Sequence, residues 1–87
     1  MIEYKVKVYN NGDKSWFLNG QRHREDGPAI ERADGSKSWW INGQLHREDG
    51  PAIEYADGNK EWFLNGEELT IEQIEAKLGY KIKIVGE

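Results

Sequence analysis

The sequence predicts a mainly β domain, an antiparallel β-meander of repeated hairpins with about six to eight strands and one C-terminal α-helix. Three observations predict it. A period of 23 residues brings Trp16, Trp39 and Trp62 into register. Asn-Gly and Asp-Gly pairs punctuate each period, and such pairs suit hairpin turns whose backbone needs positive φ. Near the end, Thr70-Ile71-Glu72-Gln73 reads as a capping box ahead of a short run with helical spacing.

The period is written in full twice. Gly12, Gly35 and Gly58 coincide at a step of 23, as do Lys14, Lys37 and Lys60, and Asn19-Gly20, Asn42-Gly43 and Asn65-Gly66. His23 meets His46, and the run Arg24 to Glu31 meets Arg47 to Glu54 letter for letter. So many identities at one spacing in 87 residues mark an architectural repeat. A third unit begins at Gly58, but Leu69 stands where a third histidine would fall, and Asp-Gly-Pro-Ala does not return. The expected organisation is a single domain over residues 1–87, with an N-terminal capping strand at 1–11, hairpin repeats at 12–66, and a helix-and-strand cap at 67–87.

In chain order, Ile2, Tyr4, Val6 and Val8 alternate with charged residues, as in a half-buried strand. Within a unit, Asn42-Gly43 should pair Ile41 with Gln44 and Trp40 with Leu45, leaving Trp39 to face His46. Asp57-Gly58, with glycine as a one-residue bulge, should set Glu54 opposite Lys60, and the same register sets Glu31 opposite Lys37. Pro51 lacks an amide hydrogen, so Asp49-Gly50-Pro51 is a corner and not the inside of a strand. The helix should run from Thr70 as N-cap to about Leu78, stopped by Gly79, with Ile71, Ile74 and Leu78 on one face. Tyr80, Ile82 and Ile84 alternate with lysines and suggest a last strand.

Composition narrows the function classes. Twelve basic and sixteen acidic residues leave a net charge of −4, which provides no basic footprint for nucleic acid. There is no cysteine, which excludes disulfides and thiolate metal sites and fits a cytoplasmic protein. No apolar run reads as a leader or a membrane span, so no membrane partner is expected. Four tryptophans and four tyrosines argue against disorder. No nucleophile elbow, phosphate-binding glycine loop or metalloprotease motif is present, and no cofactor or metal is called for.

The candidate binding residues come from the rows. His23 and His46 recur beside acidic pairs; the simplest reading stacks each imidazole on a tryptophan and bonds it to a turn carbonyl or carboxylate. Arg24 and Arg47 either make local ion pairs or form a row that captures an anion, with Arg22 as a third member in the first unit only, since Leu45 replaces it in the second. Trp39 and Trp40 are adjacent, so in a strand they point to opposite faces, and Trp16-Phe17 and Trp62-Phe63 repeat this. One ring of each pair should line the core. The other, represented by Phe17, Trp40 and Phe63, needs the helix, a second chain or a ligand to cover it.

The unit W-x-x-N-G-x-x-H-R-E-D-G-P-A-I-E-x-A-D-G-x-K resembles the short β-hairpin repeats of the MORN type, and more closely a MORN-like variant found in small bacteriophage proteins. The resemblance covers Gly12 to Gly66 and is specific at Trp39, Asn42-Gly43, His46 and Asp57-Gly58. It departs where MORN repeats usually carry His-Gly-x-Gly, since His46 is followed here by Arg47-Glu48-Asp49-Gly50-Pro51. The resemblance implies a scaffold or binder, phage-encoded and working in the cytoplasm of a bacterial host, and it supplies no catalytic residues. The expectation is a non-enzymatic protein-binding module acting on a host defence protein through an aromatic and charged sheet face. Two alternatives stand beside it: a sponge for a small anionic ligand such as a signalling nucleotide, held across a homodimer, and a self-associating structural repeat.

Overall fold

A computed structural model describes residues 3–79. Its elements are β1 (Lys5–Val8), β2 (Lys14–Leu18), β3 (Gln21–Arg22), β4 (Ile30–Glu31), β5 (Lys37–Ser38), β6 (Trp40–Ile41), β7 (Gln44–Leu45), β8 (Ile53–Glu54), β9 (Lys60–Leu64), β10 (Glu67–Leu69) and α1 (Ile71–Leu78). Eight strands form one antiparallel sheet in the order β1-β2-β4-β5-β8-β9-β10, with β3 paired to β2, and β6–β7 is a separate hairpin. The meander is the one expected. The last strand expected around Tyr80, Ile82 and Ile84 lies outside the described residues.

Two turn types alternate along the chain. At Asn19-Gly20, Asn42-Gly43 and Asn65-Gly66 both residues have positive φ, from 49° to 82°, as a type I′ turn requires. Asparagine tolerates this conformation better than other residues with a Cβ, and glycine adopts it freely. The second type closes three-residue loops. Tyr55 N–H donates to Asn59 O and Gly58 N–H to Tyr55 O, and the same two bonds recur at Tyr9–Asp13 and Arg32–Ser36. Each loop carries an Asx bond as well, with Asn11, Asp34 and Asp57 accepting from the amide two residues on.

The turns fix the register, and the register is the expected one. Trp40 faces Leu45 and Ile41 faces Gln44. Lys14, Glu31, Lys37, Glu54 and Lys60 face one another in turn across β2, β4, β5, β8 and β9. Charge alternates along this row, which penalises a slip that would set like charges opposite. Facing residues share a side of the sheet, so the row lies on the same side as Trp16 and Trp62, while Ser15, Phe17, Ile30, Ser38, Ile53 and Phe63 lie on the other.

The helix forms where the third unit stops copying the first two. Thr70 occupies the position of Arg24 and Arg47. Its side chain accepts from Gln73 N–H at 3.2 Å, and Gln73 Oε1 accepts from Thr70 N–H at 2.9 Å, completing the capping box. Gly79, at φ 78°, ends the helix by donating its N–H to Glu75 O. Ile74 is fully buried and packs with Leu64 and Leu69, joined by Trp62 and Leu78. Among the described residues the rest of the buried apolar core is thin: Ala29, Ala52 and Ile30.

The N-terminal strand departs from expectation. β1 pairs with β2 as foreseen, but its four residues are all exposed, Val8 at 65% and Val6 at 46%. Alternation assigns Val6 and Val8 to one side of a strand; it does not provide a partner for that side. The helix packs at the far end of the sheet, on Trp62, Leu64 and Leu69, and leaves β1 an open edge among the described residues.

Replacing Thr70 with Ala removes one half of the box directly. The expected loss is about 0.5–2 kcal/mol of stability, read as a lowered chemical denaturation midpoint. An unchanged midpoint would show that α1 is held by packing alone.

Candidate functional site

The duplicated phrase builds the same constellation twice. In the second unit the Arg47 guanidinium lies over the Trp39 ring, 3.7 Å from its centroid. Its Nε donates to Asp49 Oδ1 at 3.0 Å, and Nη1 donates to Pro51 O at 3.0 Å and to Glu54 Oε2 at 2.9 Å. The first unit repeats every contact: Arg24 lies 4.0 Å from the Trp16 centroid and bonds Asp26, Pro28 O and Glu31. One side chain therefore ties the aromatic strand, the corner and the return strand together. Arginine suits the place because its flat cation can stack on an indole while its fork binds in the plane.

The corner glycine makes room for this. A Cβ on Gly50 would stand 2.8 Å from Arg47 Cζ, and one on Gly27 would stand 3.1 Å from Arg24 Cζ. Neither needs a positive φ; the demand is for space beside the guanidinium. The third tryptophan has no such partner among the described residues, because Thr70 replaces the arginine. Trp62 is covered instead by the helix cluster, and its Nε1–H is buried without a hydrogen-bond partner among the described residues.

The histidines join neighbouring units. His23 Nδ1 accepts from Asn42 N–H at 2.9 Å, and His46 Nδ1 accepts from Asn65 N–H at 2.9 Å. The amide of the first residue in a type I′ turn has no partner within its own hairpin, and here the preceding unit supplies one. Because Nδ1 accepts, the proton of the neutral ring sits on Nε2, which points at Glu25 at 3.3 Å in the first unit and Glu48 at 3.0 Å in the second. Backbone bonds run parallel to these links: Gly43 N–H to Arg22 O, Gly66 N–H to Leu45 O, Arg24 N–H to Trp40 O and Arg47 N–H to Phe63 O. The carboxylate partner foreseen for histidine is present; the turn group it engages is an amide donor in place of a carbonyl acceptor.

A groove of about 910 Å³ runs between the two copies of the phrase, lined by His23, Arg24, Asp26, Trp39, His46 and Arg47 among others. Each arginine in it already holds two carboxylates, Asp26 and Glu31 or Asp49 and Glu54. An incoming phosphate would have to compete with both, so the Arg row is satisfied from within. No group of three or more His, Asp or Glu side chains suited to a metal ion occurs among the described residues.

The other side of the sheet is different. Phe17, Trp40 and Phe63 are all half-buried, so the aromatic pairs do split between the two sides, with neither ring fully exposed. Arg22, offered by the sequence as a third guanidinium of the Arg row in the first unit, lies instead 5.9 Å from the Phe17 centroid and 5.4 Å from that of Trp40, bridging two rings of the row. Lys7 covers Phe17 at 5.3 Å, and Trp40 Nε1–H donates to Ser38 Oγ. Two shallow grooves of about 500 and 390 Å³ lie here at equivalent places in successive units, the first containing Tyr9, Arg22 and Ile30, the second Arg32, Leu45 and Ile53. Tyr55, an exposed residue on this side, donates its hydroxyl to Glu61 Oε1 at 3.0 Å, and this bond holds the phenol above its ordinary value of 10.0.

Set against family models, curated proteins and solved structures, the chain finds no match in any of the three. No helix among the described residues is long and apolar enough to cross a membrane.

Two outcomes test the constellation. Gly50→Ala should cost about 1–3 kcal/mol by forcing the guanidinium off Trp39, seen as a lowered thermal midpoint and a changed near-ultraviolet tryptophan signal. In nitrogen-15 spectra at neutral pH both imidazoles should show an unprotonated Nδ1 and a protonated Nε2; the opposite tautomer would break the proposed link to Asn42 and Asn65.

Proposed function

We propose that the chain is a non-enzymatic protein-binding module whose partner docks on the side carrying Phe17, Trp40 and Phe63. The reading rests on where the units differ. Residues 12–34 and 35–57 differ at five positions: Asp13/Ser36, Phe17/Trp40, Leu18/Ile41, Arg22/Leu45 and Arg32/Tyr55. The Leu18/Ile41 change is conservative. The remaining four fall on or beside the grooved side, and each pair has at least one member lining the two grooves. The positions that build the constellation do not vary at all. Side chains needed for architecture are copied or, as at Asp13 and Ser36, exchanged for another acceptor of the equivalent amide, Ala33 or Ala56 N–H; the other three pairs vary while the architecture stays constant and are available for recognition. Aromatic and arginine side chains, which dominate protein interfaces, are prominent among the varied ones.

The resemblance to phage MORN-like repeats makes a bacterial host protein, such as a defence component, the partner class, and the host cytoplasm the place of action. Affinity capture from bacterial lysate should retain one stoichiometric protein. Trp40→Ala, checked for retained fold by circular dichroism, should weaken capture by about 30-fold, the effect of a hot spot of roughly 2 kcal/mol. Capture unaffected by Trp40→Ala would place docking elsewhere, and no retained protein would end the reading.

A further inference from the structure

The grooved side has a charge order that makes it complementary to itself. Positions 22, 45 and 68 are equivalent in the three units, and they read Arg, Leu, Glu. Each faces the aromatic of its own hairpin: Arg22 faces Phe17, Leu45 faces Trp40, and Glu68 faces Phe63. The row thus runs from cation through apolar to anion across the width of the sheet. The strands at its ends add to the gradient, with Lys5 and Lys7 on β1 and Glu61 on β9 on the same side. Among the described residues neither Arg22 nor Glu68 forms an ion pair, unlike Arg24 and Arg47 on the other side.

We propose that this side binds a second copy of the chain, face to face, about a two-fold axis parallel to the strands and centred over Trp40 and Leu45. The inference rests on the reading that this side is a docking surface, and a host protein bound there would have to displace the second copy. Such an axis carries the first unit of one copy over the third unit of the other. Arg22 then meets the partner's Glu68, Lys7 meets the acidic end, and the apolar middle meets itself. A two-fold axis perpendicular to the strands would instead set Arg22 against Arg22, which charge repulsion opposes. The slab measures 37 × 32 × 18 Å, so its broad side has room for the roughly 800 Å² that each partner gives to a standard interface. Half-buried aromatics at the centre with charges toward the ends follow the usual division between interface core and rim.

Charge reversal with light scattering and sedimentation tests the geometry. The wild-type chain should be a dimer at low salt and dissociate as salt rises, since rim charges are screened. Arg22→Glu alone sets two pairs of glutamates face to face, and Glu68→Arg alone sets two pairs of arginines; each should weaken self-association by at least about tenfold. An equimolar mixture of the two variants should form a heterodimer, because both contacts then become opposite in sign. That rescue requires both variants to be folded and requires position 22 of one copy to meet position 68 of the other. A monomeric wild-type chain at low salt, a dimer indifferent to either reversal, or a mixture that stays monomeric would overturn the proposal. A monomer that still captures a host protein through Trp40 overturns this inference alone; a dimer that captures nothing keeps it and ends the host-partner reading.

Discussion

A guanidinium seated over an indole is the contact on which the rest of this small fold depends. The domain has few aliphatic side chains to bury, and among the described residues its deepest apolar side chains outside the helix cluster are two alanines and one isoleucine. Hydrophobic burial of that size cannot by itself specify where each hairpin sits. Arg47 supplies the missing specification. It reaches Trp39 on one strand, the Pro51 carbonyl at the corner and Glu54 on the return strand, and Arg24 does the same in the preceding unit. All three are satisfied at once in this arrangement of strand, corner and strand, and the part-buried bonds to Pro51 O and Glu54 are screened less than surface pairs.

The copies are then joined by a second device. Each histidine reaches into the neighbouring turn to accept its amide, so the tip of one hairpin is fixed against the next. With strand, corner and turn all committed, one side of the sheet is occupied by structural duties. The other side is left with positions that can vary without disturbing the assembly, and its two grooves carry the varied residues. A repeat of this kind separates what holds the molecule together from what it presents.

Much of the architecture was legible in the letters. Asn-Gly and Asp-Gly fixed both turn types and hence the registers Trp40–Leu45 and Glu54–Lys60, and the Thr70–Gln73 box marked the helix start. What local spacing could not reveal were contacts made at a distance. Arg24 stacks on a ring eight positions earlier and bonds a carboxylate seven positions later, which no strand or helix period connects. The Lys–Glu row gave the register, yet Glu31 and Glu54 turn to arginine and not to the facing lysines. The exposure of Val6 and Val8 was illegible because a pattern states which side a residue takes and is silent on what covers that side. Arg22 escaped notice as a bridge between Phe17 and Trp40 because those rings become neighbours only once successive hairpins are stacked.

The exchange of arginine for threonine at position 70 has a consequence for how such a protein changes size. Units one and two hand the chain on to another hairpin unit; unit three hands it to a helix that packs on Trp62. Termination is therefore written in a single stretch after Asn65-Gly66 and owes nothing to how many copies come before it. Duplicating or deleting one whole period upstream leaves both its donor and its acceptor ends matched. Width in this architecture can thus grow or shrink in whole hairpins, while the closing segment travels unchanged with the final one.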